Sequence, residues 1–496
     1  MFAPAWLRRC GLVLTLVVSG CAQMKSHDSQ HAEMQSSRQA GGLSAAIKQL
    51  ESTAKTDDDR AALLYNMERG ELLRQNRQYA ESTESWLLAD KKVAEWEALT
   101  KTDPSKLMGF VGAALISERL KPFEGQDYEK VWLTTRLALN RIAVGDWENA
   151  RVDIKRTHER EAVIAEFRAK ETVAAEEEAK QKGVSTAGKD LNGYPVETLN
   201  DPEVLKLKNG YQNALSHYLA GFLYEAMNEP GLAAPGYRKA IELKPDTPIL
   251  EDGLKGLDTR TSFTHKLRKR MTDVLFVIEN GDAPARKPKA LNLPVPLRGS
   301  IAALSVSFPV IEPSQQAAPS SMLAGSSLLK PETVVDVNLM ARRALKDEMP
   351  GLVVRGISRA VAKGILQNEA QKRAGLLGGL VATVASAATE QADDRMWRTL
   401  PGTVSIARAY LPEGPHQLTL DGRKVGEPVA IKGQYALIPL RVSGAEVLVG
   451  EVASIGELAA PSPVAAPAAA PQSTPAKPAP KPAAKPTAKP VQKPTT

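Results

Sequence analysis

Apolar residues recur every third or fourth position from Leu43 to about Leu257, and alternate with polar ones in short runs after Arg270. The first spacing turns one face of a helix toward a core and the second one face of a strand, so helices are expected to give way to sheet near residue 270. Punctuation agrees. Asp103-Pro104 and Asp201-Pro202 set an N-cap acceptor before a proline at the first helical position, and Gly145-Asp146 ends one helix and opens the next. The helix opening at Trp147 is expected to run through a charged stretch to Gly183, followed by an irregular loop to Asn200. Strands are expected at Asp273–Glu279, Leu291–Leu297, Ile301–Phe308, Val404–Leu411, His416–Leu420, Ala436–Val442 and Val447–Val449. Between about 332 and 398 the helical period returns, with one amphipathic helix stopped at Pro350-Gly351, a second after it, and a small-residue stretch, Leu376 to Ala388, expected as a buried hairpin, with a membrane element as the alternative. The fold class read from this pattern is α+β multidomain. Helical hairpin repeats occupy 43–260, an antiparallel β-sandwich is built from 271–311 and 400–452, and a helical region at 332–398 is inserted into it.

The two ends change the picture. Arg8 and Arg9, the apolar Leu12–Val18 and the closing Val18-Ser19-Gly20-Cys21 resemble a bacterial lipoprotein signal over 1–20. The resemblance implies cleavage before Cys21, acyl chains on its sulfur and new amino terminus, and stable anchoring at a bilayer by lipid. Ala22 follows, not the aspartate that marks inner-membrane retention in enteric bacteria, so the outer membrane is expected, with the body in the periplasm. Residues 21–42 are expected as a flexible tether. The other end, 459–496, is Pro, Ala and Lys with almost no bulky apolar residue; it is expected to be disordered, a spacer or a reach toward anionic sites of the cell wall. The net charge of +7 belongs to these ends. Without Arg8, Arg9 and Lys477, Lys481, Lys485, Lys489 and Lys493 the body is neutral, which removes the main argument for a nucleic-acid partner. Cys10 and Cys21 are the only cysteines, so the mature chain has no thiol for a disulfide, a metal cluster or a cysteine nucleophile.

Within the helical half, Gly221, Tyr224, Ala233, Tyr237, Ala240 and Pro245 match the spacing of a tetratricopeptide repeat, in which a small residue on one helix admits a ring from the next. Leu137, Ala138, Trp147, Ala150 and Ile154 match around V-G-D-W-E-N-A, and Gly70, Tyr79, Trp86 and Ala89 more loosely. Together with D-Y-E-K-V-W-L-T-T-R-L-A-L-N-R-I-A-V-G-D-W-E-N-A-R-V, V-I-E-N-G-D-A-P, D-V-N-L-M-A-R-R-A-L-K and A-T-E-Q-A-D-D-R-M-W-R-T-L-P, the chain resembles a family of bacterial outer-membrane lipoproteins with tetratricopeptide-like repeats. That family has no established reaction, and its members often accompany lipoprotein activators of cell-wall synthases. The resemblance implies an envelope role; the Pro-Lys tail departs from the family pattern.

Motifs for catalysis are sparse. The chain lacks H-E-x-x-H, G-x-S-x-G, Walker A and dinucleotide-binding loops, and no cofactor or metal is expected. His416 with Asp421, or Asp393 with Asp394, would be the acid–base candidates of a hydrolase, but such carboxylates are more often caps. The favoured expectation is a non-enzymatic, lipid-anchored scaffold with a protein partner in a concave repeat groove, at Asn213, His217 and Tyr224. The alternative is peptidoglycan or another glycan, bound by the β unit through Arg395, Trp397 and Arg398 or by the tail; the basic helix stripe of Arg355, Arg359 and Lys363 is expected as a solvated face, with lipid head groups or glycan as its alternative ligands.

Overall fold

The computed structural model describes residues 25–104, 118–182, 193–297, 300–314, 316–389, 391–458 and 483. The expected signal, Cys21 and, apart from Ala483, the tail lie outside these residues. The architecture is mixed α+β, with an N-terminal helical region and a C-terminal sheet region.

The helical region comprises α1 (His27–Glu51), α2 (Asp57–Ala61), α3 (Leu63–Gln75), α4 (Tyr79–Thr102), α5 (Asp127–Ala143), α6 (Trp147–Lys182), α7 (Pro202–Lys206), α8 (Ala214–Ala226), α9 (Pro230–Leu243), α10 (Pro248–Leu254), α11 (Leu257–Thr261) and α12 (Phe263–Arg268). The pairs α3–α4, α5–α6 and α8–α9 are hairpins that repeat one turn geometry. The middle residue of each link, Arg77, Gly145 or Asn228, has a positive φ. The N–H that follows reaches back to the first helix, from Gln78 to Leu73, Asp146 to Arg141 and Glu229 to Tyr224, at 2.8–2.9 Å. Such left-handed caps satisfy carbonyls that a helix end would otherwise leave without donors. Close approach follows from two glycines. A β-carbon at Gly70 would stand 2.3 Å from Trp86 Nε1 and one at Gly221 would stand 2.6 Å from Tyr237 Cδ1, so a bare backbone makes room for each ring.

The expected tether is instead largely helical. α1 begins at His27, bends at Gly41–Gly42, and buries His31, Met34 and Arg38. Its first residues are clamped: His27 N donates to Asp394 Oδ2 at 2.8 Å, Gln35 Nε2 to Asp282 Oδ2 at 2.6 Å, and Arg398 donates to Asp28. Periodicity could not reveal this, because the partners lie hundreds of residues downstream.

The sheet region comprises β1 (Thr272–Asn280), β2 (Lys287–Leu297), β3 (Ser300–Val310), β4 (Met322–Ala324), β5 (Ser327–Leu329) and β6 (Glu332–Asp336). A long helix, α13 (Val337–Thr389), separates these from β7 (Thr403–Leu411), β8 (Gly414–Leu420), β9 (Arg423–Ile431), β10 (Tyr435–Ser443), β11 (Glu446–Val449) and β12 (Ala453–Ile455). The central sheet runs β11-β10-β1-β7-β6 with β12 also on β10; β5-β4-β8-β9 form a second sheet, and β2–β3 a separate hairpin. β1 pairs in parallel with β10 and antiparallel with β7, which corrects the expectation of a purely antiparallel unit. Alternation fixes which side chains face inward but not strand direction, and the long connection from β1 to β10 leaves direction free. Every residue of β1 is buried. Leu275 and Val277 face the core shared with the helices, while Val274, Phe276 and Ile278 face Leu418, Leu420 and Val429 of the second sheet. The central sheet is therefore a layer between the helices and the second sheet.

The expected stop at Pro350-Gly351 is absent: α13 carries Pro350 within it. An interior proline costs about 3 kcal/mol. Here Met349, Leu352 and Val353 around it are buried in the main core, so packing outweighs the lost hydrogen bond. The Leu376–Ala388 stretch continues the same helical run, and its side chains lie outside the described residues.

Candidate functional site

The residues singled out from the sequence do not gather into a groove or a glycan face. Asn213 is the N-cap of α8, its Oδ1 accepting from Ser216 N at 2.8 Å. His217 is buried, with Nε2 3.2 Å from Glu161 Oε2 and its ring stacked on His158 at 4.8 Å. Tyr224 is half-buried against the core. The basic stripe on α13 is no wet face either. Arg355 Nε lies 3.3 Å from Glu118 Oε1, Arg359 is buried on the same carboxylate, and Lys363 is half-buried. Trp397 is fully buried, edge-on to Trp86 at 6.1 Å, and its Nε1 donates to Thr399 Oγ1 at 3.0 Å, so it offers no stacking platform. Arg395 is held by both oxygens of Asp393 at 2.7 Å, and Arg398 Nε donates to Ala283 O at 3.1 Å. His217, Arg355, Arg359 and Arg398 found partners in distant segments, whereas Asn213 and Arg395 are held by near neighbours in sequence.

The acid–base candidates are likewise engaged in structure. His416 Nε2 donates to Pro412 O at 2.8 Å, and Asp421 accepts from Ser320 N and Ser321 N at 2.9 Å. Asp394 caps His27 and faces Arg119 Nε at 3.2 Å. Among the described residues no group of His, Cys, Asp and Glu has the arrangement of a metal site, and no helix is long and apolar enough to cross a membrane.

What does open to solvent is a cleft of about 900 Å³ between the α2–α3 junction, the last turns of α4 and the loop Lys121–Glu124. The loop has no apolar period and gave no signal beyond a single ring, Phe123, beside Pro122. Leu63, Leu64, Trp96, Leu99, Pro122 and Phe123 supply apolar walls, with Asp58, Asp59 and Glu95 set against Lys92, Lys121 and Arg395 at the rim. The floor is rigid. Trp96 meets Phe167 edge-on at 5.3 Å, and Lys130 Nζ lies 3.8 Å above the Trp96 ring. Leu99, by contrast, is exposed, as is Leu88 further back along α4.

Behind Phe123 the cleft narrows into a recess of about 100 Å³ lined by paired charges. Burial would raise the Glu118 carboxyl, but Arg355 and Arg359 outweigh it and hold it down to about 2. Burial likewise opposes Asp127, which Arg168 and Lys130 bring down to about 2. These charges neutralise one another and stiffen the wall. Nearby, burial pushes the Glu129 carboxyl up to about 7, although Trp397 N and Gln126 N donate to it at 2.6 and 2.7 Å. The arrangement suits an apolar segment with a mixed-charge flank better than a small charged ligand.

No family model, no curated protein and no solved structure matches this chain.

Proposed function

We propose that this chain is a lipid-anchored scaffold of the bacterial outer membrane whose periplasmic body holds a polypeptide segment of an envelope partner in the cleft over Phe123. The carrying observation is that cleft, whose apolar walls are backed by a rigid aromatic floor and ringed by charges of both signs. The anchor reading is supported by Val18-Ser19-Gly20-Cys21 after a short apolar run. A tetratricopeptide-type repeat reading is supported by the shared turn at Arg77, Gly145 and Asn228 and by Gly70 and Gly221 beneath their rings. The scaffold requires no cofactor, and a partner in the regulation of cell-wall synthesis accords with the family resemblance.

A photo-reactive residue at Leu99 in intact cells should give an adduct of discrete mass that disappears when Phe123→Asp is added, while the same probe at Tyr224 gives none. An adduct at Tyr224 alone would move the partner to the originally expected groove and end the cleft reading. Incorporation of a palmitate analogue that vanishes in Cys21→Ser tests the anchor. Retention of purified, unlipidated body on murein sacculi without other proteins would favour glycan binding instead, and would assign it to the tail if deleting 459–496 abolished it.

A further inference from the structure

The rim of the cleft over Phe123 is not electrically even. Each of its cations already has a carboxylate: Lys92 Nζ lies 3.1 Å from Glu95 Oε2, Lys121 Nζ 3.1 Å from Glu124 Oε1, and Arg395 Nε 2.7 Å from Asp393 Oδ1. Asp58 and Asp59, on the same rim at the start of α2, form no ion pair among the described residues, and neighbouring Arg60 is turned to Asp57 at 3.1 Å. Both are exposed. Asp59 Oδ2 accepts from Thr56 N at 2.9 Å and from Lys55 N at 3.0 Å, which holds its carboxyl below the usual range. Two carboxylates therefore stand without cations at the α2 end of the cleft.

The wall beside them changes character over a few residues. Ala61 and Ala62, both exposed, follow the acids, and Ala62 has an extended backbone where α2 gives way to α3. Leu64 and Tyr65, half-buried, come next, and Leu99 and Phe123 add to the apolar side from α4 and the loop. The order along the wall is thus acid, methyl, then bulky apolar. An acidic occupant would meet two like charges and only cations that are already paired. A basic one gains an attraction that reaches about 8 Å at physiological salt and steers its approach to this end.

We infer that the segment held by the cleft is a cationic one, which sets a bulky apolar side chain against Leu64, Leu99 and Phe123 and a neighbouring lysine or arginine against Asp58 and Asp59. The inference rests on the cleft reading above and names the chemistry of its occupant. Apolar contact supplies the affinity, because exposed ion pairs add little of it, and the two carboxylates supply the choice between partners, because the wrong sign of charge is repelled where the right one is drawn in. The exposed methyls of Ala61 and Ala62 leave the passage between the two parts of the site unobstructed by long side chains.

The test selects random dodecapeptides displayed on phage against the chain from Ala22 to Thr496, which keeps every described residue. Peptides whose binding is lost on Phe123→Gln are those of the cleft; Leu99→Gln, at an exposed position, serves if Phe123→Gln fails to fold. These peptides should be net basic, with lysine or arginine close in sequence to Leu, Ile, Phe or Trp. Synthetic copies should bind Asp58→Lys at least fivefold more weakly, and should weaken as salt is raised from about 50 to about 300 mM. Asp58 is exposed and unpaired among the described residues, so Asp58→Lys should keep the denaturation midpoint of the parent chain. Cleft peptides that are acidic or neutral, or basic ones whose affinity Asp58→Lys and salt leave unchanged, would overturn this inference and leave the cleft reading standing. Recovery of no peptide that needs Phe123 or Leu99 would overturn the cleft reading, and this inference with it.

Discussion

Two buried polar junctions hold this molecule together, and they differ in what pH does to them. The first joins the helical hairpins to the central sheet. Arg74 and Arg136 converge on Glu279 of β1, while Arg408 of β7 bridges Glu225 of α8 and Asp273 of β1. Against the burial that would raise it, Arg408 and Arg260 bring the Glu225 carboxyl to about 2, and Arg136 and Arg74 lower Glu279 in the same way. These pairs stay charged across the neutral range. The second junction fastens the loop after α13 to α1 through His27, to α3 through Glu68 and to α5 through Glu129. Burial opposes the charged form of His27, but Glu68 outweighs it and raises the imidazole, and Glu129 is pushed up to about 7 by burial. Charge is permanent at one junction and conditional at the other, so similar degrees of burial give a fixed joint and a releasable one.

The largest expected effect comes from breaking the fixed joint. Glu279→Ala leaves Arg74 and Arg136 buried with Glu71 as the one carboxylate still paired to both, and should lower unfolding free energy by roughly 3–5 kcal/mol in urea titrations. A loss under 1 kcal/mol would mean that water reaches these guanidiniums.

Next is the pH profile. Glu129 has a folded pKa above its unfolded value of 4.5, so its contribution is present below pH 4.5 and lost as pH rises toward about 7. His27 acts in the same direction, its contribution being complete below 6.5 and lost as pH passes its raised folded value. Glu225, Glu118 and Asp127 act oppositely, losing theirs as pH falls from the usual carboxylate range through about 2. Stability should therefore decline between pH 4.5 and 7, and Glu129→Gln should remove roughly 3 kcal/mol of that decline. An unchanged slope in the variant would assign the titration elsewhere.

A smaller effect is expected within the hairpins. Gly221→Ala places a methyl 2.6 Å from the Tyr237 ring and should cost about 2 kcal/mol, seen as a lower denaturation midpoint with an unchanged slope. The smallest global effect belongs to the releasable joint. His27→Ala should cost about 1 kcal/mol overall while speeding amide exchange across His27–Arg38 and leaving β1 protected.

The sequence made the helices legible where apolar spacing was sustained, as in α5 and α8, and the strands where alternation ran long, as in β1 and β7. It was silent for β4 and β5, which are too short to show a period, and for β9, whose Gly426 and Pro428 read as turn signals although Val425, Val429 and Ile431 are buried. Chemistry was less legible than fold. Asn213 three residues before Ser216 was readable as a cap, yet polarity at helical spacing suggested a groove. Arg355 and Arg359 formed a stripe whose partner, Glu118, lies more than two hundred residues away. Trp397, flanked by Arg395 and Arg398, had the composition of an exposed platform, but it is buried with Trp86 of α4 edge-on to its ring. Periodicity reports which side of an element is buried only when that element packs in one layer, and these residues sit where layers meet.

The most direct test of the releasable joint is amide exchange on the unlipidated chain from Ala22 at pH 5 and pH 8, corrected for intrinsic rates. Protection of His27–Arg38 should fall at least tenfold at the higher pH while that of α8 and β1 is retained. Equal loss in all three, or none in α1, would contradict the distinction between a fixed and a conditional joint.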